Sequence, residues 1–187
     1  MKKTSYMAAI LAISSFSNVC FSATDFSGFR LGGGFSSTSL EVEDDSGYTT
    51  YDDDYGNGFK IESGYDFNQI VGVNVSYETN NETINNWDIK GESFKLAADI
   101  GYAFPVNQVF LKPYGKIGFV SYSEEESYGY YQIETDDSSV FVGIGLRFQS
   151  NHFYADLSLD TYTLDNYDGD DYDLTFVQTA LTAGYKF

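Results

Sequence analysis

Residues that could carry out nucleophilic or acid–base chemistry are scarce in this chain of 187 residues. It contains a single histidine, His152, and a single cysteine, Cys20. Cys20 falls in a predicted secretory signal, so we expect the mature protein to have no disulfide and no thiol chemistry. His152 lies in a short turn just before Phe153-Tyr154-Ala155, and we interpret it as a turn residue without a catalytic role. These features predict that the protein is not an enzyme.

One acidic segment has the residue types of a cation site. The run Asp165-Asn166-Tyr167-Asp168-Gly169-Asp170-Asp171 faintly resembles a calcium loop, but its spacing differs from an EF-hand and the bidentate glutamate is missing. We therefore predict no cofactor. The weak metal candidates are Asp165, Asp168, Asp170 and Asp171. Other acidic runs, such as Asp52-Asp53-Asp54, are most simply explained as solvated surface.

The first residues have the pattern of an export signal. Lys2 and Lys3 precede an apolar stretch, 7–16, which is too short to cross a membrane as a helix. Small residues then offer cleavage after Ser22 or Ala23. We predict a signal peptide over 1–23 and one mature domain over 24–187, and the mature part has no long apolar run typical of a transmembrane helix.

Alternation of apolar and polar residues dominates the mature part. Tyr and Phe together number 33 and glycines 18, with only 2 prolines, a composition typical of β structure. Eight segments alternate with period two, each roughly ten residues long, the length that a tilted strand needs to cross a bilayer. They cover 29–35, 59–67, 71–77, 94–104, 111–119, 140–148, 153–160 and 177–187. Pro113 predicts an irregularity in strand pairing.

The connections alternate between short and long, and they divide the charge. Tight turns are predicted at 66–69, 105–108 and 149–152. Long polar loops are predicted at 43–57, 78–92, 123–137 and 165–173. These loops hold 21 of the 28 acidic residues and one base, Lys90, while the rest of the mature chain is balanced. The net charge of −18 makes a nucleic-acid partner improbable.

A soluble lipocalin-like barrel would show the same alternation, so the chemistry of the two faces has to distinguish it from a membrane barrel. One face places Phe or Tyr at segment ends and aliphatic residues between them, as lipid-facing strands do. The other face carries Gly, Ala, Ser and isolated charges of both signs, which suits a narrow lumen with paired charges. Because charged residues of several strands lie on this second face, we predict that they form an ion-pair network in the lumen. Its members are Lys60, Glu62, Lys95, Asp99, Lys116, Arg147, Asp156 and Asp160.

The chain resembles the small outer-membrane β-barrels of the OmpA/OmpX type. The residues that carry the resemblance are the signal peptide, the segments 112–118 (Lys-Pro-Tyr-Gly-Lys-Ile-Gly) and 143–148 (Gly-Ile-Gly-Leu-Arg-Phe), and the closing Thr182-Ala183-Gly184-Tyr185-Lys186-Phe187. The resemblance implies an all-β, eight-stranded antiparallel up-and-down transmembrane β-barrel in the bacterial outer membrane. It also implies that Tyr185 and Phe187 form a C-terminal signal read by the barrel-assembly machinery.

The same family includes adhesins, narrow pores and a few lipid A enzymes. Those enzymes pair a histidine with a nearby serine, and no serine stands two residues after His152. We therefore predict a structural or surface-interaction barrel whose acidic, tyrosine-rich loops bind ligands. The expected partners are outer-membrane lipid and lipopolysaccharide, divalent cations and host or surface ligands. The alternatives are a narrow, cation-favouring porin-like channel and, less favoured, a rim enzyme acting on lipid A.

Overall fold

The computed structural model describes residues 26–44, 49–52, 55–84, 87–128, 131–150, 152–164 and 172–187. These residues form eight long strands and two short ones, β2 and β6. The strands are β1 (Gly28–Asp44), β2 (Thr49–Asp52), β3 (Asn57–Asp66), β4 (Val71–Ile84), β5 (Trp87–Gly101), β6 (Phe104–Val106), β7 (Val109–Tyr128), β8 (Tyr131–Gln149), β9 (Phe153–Leu164) and β10 (Tyr172–Lys186). Within these residues no helix is long and apolar enough to cross a membrane.

The long strands form one closed antiparallel sheet. Neighbouring strands follow the order β10-β9-β8-β7-β5-β4-β3-β1, and β1 pairs with β10 to close the ring. The closing ladder is long, running from Arg30 opposite Lys186 to Asp44 opposite Tyr172. Closure leaves no free sheet edge at membrane depth, which the hydrocarbon core would penalise. The predicted eight-stranded antiparallel barrel is confirmed.

Side chains alternate between a lumen and an exposed apolar belt, as the period of a strand requires. On β5, for example, Lys95, Ala97 and Asp99 are buried, while Leu96 and Ile100 are 51% and 59% exposed. Aromatic side chains border the belt at both of its edges. They include Phe35, Phe59, Phe94 and Phe119 at one edge, and Phe29, Tyr65, Phe104, Phe153 and Phe187 at the other. A belt of this kind fits lipid with aromatics at the two interfaces.

The two ends of the barrel differ. The end where β3 meets β4 and β8 meets β9 has short connections, and we call it the turn end. At the other end, the hairpin end, β4 and β5 are separated by two residues, as are β7 and β8. The predicted long loops at 78–92 and 123–137 are therefore wrong, because most of these residues continue the strands. Most residues of these two segments are polar on both faces, so no apolar alternation marks the strands there.

Pro113 coincides with an interruption in pairing. β7 pairs with β5 up to Tyr114, opposite Gly101, and then with β6 from Leu111, opposite Phe104. The register is the same on both sides of the break. Since proline has no amide hydrogen to donate, the ladder is interrupted at the residues between these two pairs.

Candidate functional site

The candidate site is the barrel interior, where twelve charged side chains form two layers. We call the residues nearer the turn end the turn-end charge layer: Arg30, Asp66, Asp99, Lys112, Arg147 and Asp156. The hairpin-end charge layer comprises Lys60, Glu62, Glu78, Lys95, Lys116 and Asp160. No side chain of the twelve is more than 7% exposed. Each layer has three cations and three anions, so both are neutral overall.

Two aspartates at the centre of the turn-end charge layer each contact three cations. The Asp66 carboxylate lies 2.9 Å from Arg30 Nε, 3.3 Å from Arg147 Nη1 and 3.6 Å from Lys112 Nζ. Asp99 Oδ1 accepts a hydrogen bond from Lys112 Nζ at 2.6 Å, and Asp99 Oδ2 lies within 3.8 Å of both arginines. Buried charges are tolerated when they are paired in this way.

Asp156 extends this layer towards the wall of the barrel. Its carboxylate accepts hydrogen bonds from Arg147 Nε at 2.8 Å and from the Tyr114 hydroxyl at 2.6 Å. The Arg147 guanidinium also lies 4.9 Å from the Tyr114 ring centroid, a cation–π contact. The arginine is therefore fixed by both charge and stacking.

The hairpin-end charge layer forms a chain of alternating charges. Lys60 Nζ lies 3.5 Å from Glu62 and 3.3 Å from Glu78, and Lys95 Nζ bridges Glu78 at 3.3 Å to Asp160 at 3.0 Å. Lys116 Nζ completes the chain, 2.7 Å from the other oxygen of Asp160. The Tyr154 hydroxyl donates to Glu62 at 2.9 Å while Arg30 lies over the Tyr154 ring, so this tyrosine connects the two layers.

An aromatic cluster covers the hairpin-end charge layer. We call it the aromatic cap, and it consists of Tyr55, Tyr122, Phe141, Tyr162 and Phe176, all buried. The Tyr162 and Phe176 rings stack at 5.1 Å, and Tyr122 contacts Phe176 at 4.8 Å. Lys95 and Lys116 lie 5.4 Å and 5.8 Å from the Phe141 ring centroid, so the cap also meets the cations below it.

A carboxylate fixes two of the three tyrosines of the cap, Tyr122 of β7 and Tyr55, which lies just before β3. Glu124 Oε2 accepts hydrogen bonds from the hydroxyls of Tyr55 and Tyr122, both at 2.6 Å. Burial, followed by the Glu124 carboxylate, raises the pKa of Tyr122 well above its ordinary value. The Tyr122 phenol is therefore a neutral donor at physiological pH.

Phe26 closes the opposite mouth of the lumen. Its side chain is 4% exposed and meets the Phe110 ring edge-on at 5.3 Å. Lys186 Nζ donates to the Phe26 carbonyl oxygen at 2.5 Å and lies 4.4 Å from the centroid of its ring. The structure thus has an aromatic closure at each end of the two charge layers.

The structure places every predicted network residue in the interior with its side chain buried. Five of them lie in the hairpin-end charge layer, and Asp99, Arg147 and Asp156 lie in the turn-end charge layer. The sequence prediction missed Arg30, Asp66 and Lys112, although each has lumen parity in its strand. It also missed Glu78, which had been assigned to a loop and which contacts both Lys60 and Lys95.

The remaining predicted sites divide between described and undescribed residues. Tyr55 lies in the predicted loop 43–57 and Tyr122 directly precedes the predicted loop 123–137, but both are buried in the aromatic cap and do not form an exposed binding surface. The weak metal candidates Asp165, Asp168, Asp170 and Asp171 lie outside the described residues, as does the predicted signal peptide. In the described part, no group of three or more His, Cys, Asp or Glu residues could hold a metal ion. His152 is exposed at the turn end, with its ring 5.7 Å from that of Tyr185.

Residues 8–187 match a family model described as outer membrane protein beta-barrel domain. No curated protein matches the chain. Among solved structures, it is similar to Ail, the attachment invasion locus protein of Yersinia pestis, with 23% identity over 86% of this chain and 99% of that one and a TM-score of 0.57. Ail has also been solved with the heparin analogue sucrose octasulfate.

Two further solved structures share the fold at lower identity. Neisserial surface protein A matches with 16% identity over 86% of this chain and 97% of that one, at a TM-score of 0.60. OprG, an outer membrane protein of Pseudomonas aeruginosa, matches with 14% identity over 88% and 98%, at a TM-score of 0.56.

Proposed function

The chain belongs to the outer-membrane β-barrel domain family, and from this premise we propose that it is a plugged barrel that displays acidic hairpins at the cell surface as its binding part. The observation that carries the proposal is the filled lumen. Two neutral layers of buried ion pairs lie between the aromatic cap and Phe26. An eight-stranded barrel has an interior just wide enough for its own side chains.

The charge layers also argue for a fixed plug. Moving any one of these side chains aside to admit an ion would leave its partners buried and uncompensated, at a cost of several kcal/mol. Asp99 and Asp66 make this cost high, because each contacts three cations that belong to different strands. Ligand binding is then left to the parts of the barrel that protrude from the membrane.

The hairpin end is suited to cationic ligands or to ligands bridged by divalent ions. Apart from Glu78 in the lumen, the segments predicted as loops carry 20 acidic residues and one lysine, which produces a strong negative field. Ail was solved with the heparin analogue sucrose octasulfate, a polyanion. A polyanion of that kind would be repelled by this chain, whereas lipopolysaccharide phosphates would need a bridging divalent cation.

Conductance in planar bilayers tests the plugged barrel against the alternative, a narrow cation-favouring channel. We expect the purified barrel to produce no conductance steps above the leak of the bare bilayer, with a general porin reconstituted in parallel as the positive control. Reproducible cation-selective steps from the folded protein would overturn the proposal and favour the channel.

A binding screen tests the surface role. We expect the barrel in lipid nanodiscs to retain basic proteins of the extracellular matrix, and lipopolysaccharide only with Ca²⁺ or Mg²⁺, and not to retain sulfated polysaccharide. Empty nanodiscs are the control. Tight binding of the sulfated polysaccharide without divalent ions would contradict the charge argument.

Export and assembly complete the proposal. We infer that residues 1–23 are removed as a signal peptide and that Tyr185 and Phe187 are read by the barrel-assembly machinery. Both aromatic side chains lie on the exposed face at the turn end, with their ring centroids 5.0 Å apart. N-terminal sequencing of the protein from outer membranes tests the cleavage, which we expect after Ser22 or Ala23.

A further inference from the structure

The chain enters the lumen before β1 begins. Phe26 lies two residues ahead of β1 and is 4% exposed, whereas Phe29 in β1 is 42% exposed on the lipid face. The Phe26 ring meets that of Phe110 in β7 edge-on at 5.3 Å. Since β7 is not a neighbour of β1 in the sheet, the ring has to cross the mouth of the barrel to make this contact. We call Phe26 and Ser27 the N-terminal strap.

Two lysines from different strands hold the Phe26 ring. Lys186 of β10 donates through Nζ to the Phe26 carbonyl oxygen at 2.5 Å, and this ammonium lies 4.4 Å from the ring centroid. Lys112 Nζ of β7 lies 6.0 Å from the same centroid, and its hydrogen bond to Asp99 places it in the turn-end charge layer. Cations over an aromatic face are attracted to the ring. The Phe26 pocket, formed by Phe110, Lys112 and Lys186, is therefore built by β7 and β10 together.

Where the strap joins β1, the backbone lies against the last residues of β10. A Cβ at Gly28 would be 2.6 Å from the Phe187 carbonyl oxygen and 2.7 Å from Lys186 Cε, so this close approach requires glycine. On the lipid side, the Phe29 and Phe187 rings are 5.8 Å apart. The ladder between β1 and β10, which we call the seam, is thus held on its outer face by this aromatic pair and on its lumen face by Phe26 and Lys186.

The Phe26 pocket exists only in the closed barrel. Phe26 and Lys186 are 160 positions apart in the chain. Without pairing between β1 and β10, these strands would lie at opposite sides of an open sheet, too far apart for this contact. The strap therefore engages after the seam has formed, and its contacts are absent while closure is under way. Contacts that form this late slow the opening of a structure without accelerating its formation.

We propose that the N-terminal strap is a latch, which inserts Phe26 into the lumen once the barrel has closed and holds the seam shut from inside. The latch acts independently of any ligand at the hairpin end. It also constrains the predicted export signal, because cleavage after Ser22 or Ala23 leaves the strap on the mature chain. A chain trimmed past Phe26 closes at the normal rate and reopens more readily.

The kinetics of Phe26→Ala test the latch. The protein is refolded from urea into phosphatidylcholine vesicles, and the heat-modifiable shift on gels follows folding and, at high urea, unfolding. We expect unfolding to accelerate about tenfold or more, because a buried ring and its contacts are lost, while the folding rate changes less than about twofold. A folding rate that falls as much as the unfolding rate rises would overturn the proposal, as would an unchanged unfolding rate.

Deletion of single residues separates the latch from the loss of an aromatic side chain. Deletion of Ser27 keeps the Phe26 ring but shortens the strap by about 3.3 Å, so that the ring no longer reaches Phe110. We expect the same acceleration of unfolding as for Phe26→Ala. Deletion of Thr24, ahead of the strap, is the matched control and should leave both rates unchanged. Equal effects of the two deletions would contradict a latch that depends on the length between Phe26 and β1.

A double-mutant cycle tests the partner of Phe26. Lys186→Met keeps the aliphatic stem and removes the ammonium, and we expect it to accelerate unfolding as well. Combined with Phe26→Ala, it should add less than about twofold to the acceleration, because the two residues act as one unit. Fully additive effects would show that the two residues act independently, and the latch would be wrong.

Discussion

Asp99 illustrates how single side chains hold the lumen together. Its two oxygens lie within 3.8 Å of Arg30, Lys112 and Arg147, which come from β1, β7 and β8. The carboxylate is 2% exposed, so water does not compete for these contacts. Asp99 therefore connects its own strand, β5, with β1 and β8, which are not neighbours of β5 in the sheet.

Asp99→Asn should destabilise the barrel strongly. The amide keeps the shape but removes the charge, which leaves three buried cations with reduced compensation, at about 3–5 kcal/mol. The free energy of unfolding in lipid vesicles, from urea titration, is the measurement. The matched control is Lys90→Gln, which breaks an ion pair with Glu125 whose side chains are 59% and 40% exposed, and should cost about 1 kcal/mol or less. Similar losses in the two variants would show that the buried pairs contribute no more than exposed ones.

At the scale of elements, the ladder between β1 and β10 decides whether the barrel closes. β1 contains Gly32, Gly33 and Gly34, and the middle one has the opposite orientation to its neighbours. A Cβ at Gly34 would collide with the Leu181 carbonyl of β10, whereas a Cβ at Gly33 would lie 3.4 Å from the Lys60 carbonyl oxygen, with nothing closer. The close approach of the β1 and β10 backbones thus requires glycine at position 34 but not at position 33.

Gly34→Ala should therefore impair closure while Gly33→Ala leaves it intact. We expect a loss of about 1–3 kcal/mol for the first, as for other overpacked sites, and a small change for the second. The fraction of protein that shows the heat-modifiable shift on gels after refolding measures both. Equal refolding yields of the two variants would mean that β10 moves away from the added methyl group without a loss of stability.

The end of β10 is the second determinant of closure. The Phe187 amide donates to the Phe29 carbonyl oxygen at 2.9 Å, and the two rings are 5.8 Å apart. Deletion of Phe187 removes both contacts and the terminal aromatic at the membrane interface.

We expect this deletion to leave the protein largely periplasmic and degraded. Replacement of 165–173 by a short glycine-rich turn is the comparison, and it should insert normally. The measurement is the amount of each variant in the outer-membrane and periplasmic fractions of cells that express it. Normal outer-membrane levels of the deletion variant would place the assembly signal elsewhere in the chain.

The molecule as a whole segregates its charge. The two lumen layers are neutral, while the segments predicted as loops carry, apart from Glu78 of the lumen, 20 acidic residues and one lysine. Self-repulsion among those acids extends over about 8 Å at physiological salt. Such a field attracts cations and basic surfaces and opposes contacts with other anionic surfaces.

Divalent cations should protect the hairpin end from proteolysis. We expect Ca²⁺ and Mg²⁺ to slow nicking there more than Na⁺ at equal ionic strength, because a divalent ion can bridge two carboxylates. The rate of nicking of the vesicle-inserted protein by a protease of broad specificity is the measurement. Rates that depend only on ionic strength would indicate screening without bridging.

The sequence by itself determined the number of strands, the two faces and the lumen location of eight charged residues. It could do so because side chains on a strand alternate with a fixed period of two, so one apolar neighbour such as Phe94 assigns Lys95 to the interior. The same rule applied to Arg30, Asp66 and Lys112, whose neighbours are equally apolar.

Only the tertiary structure decided which charges meet and where the strands end. Lys95 contacts Asp160, 65 positions away, because closure of the ring brings β5 and β9 across the lumen from one another. Glu78 and Tyr122 could not be placed from sequence, because the polar residues that follow them conceal the continuation of β4 and β7, and Tyr55 lies outside the strands. Where a strand does not face lipid, its outer side chains need not be apolar, so apolar and polar residues do not alternate in the sequence. Backbone hydrogen bonding between neighbouring strands still extends the sheet there.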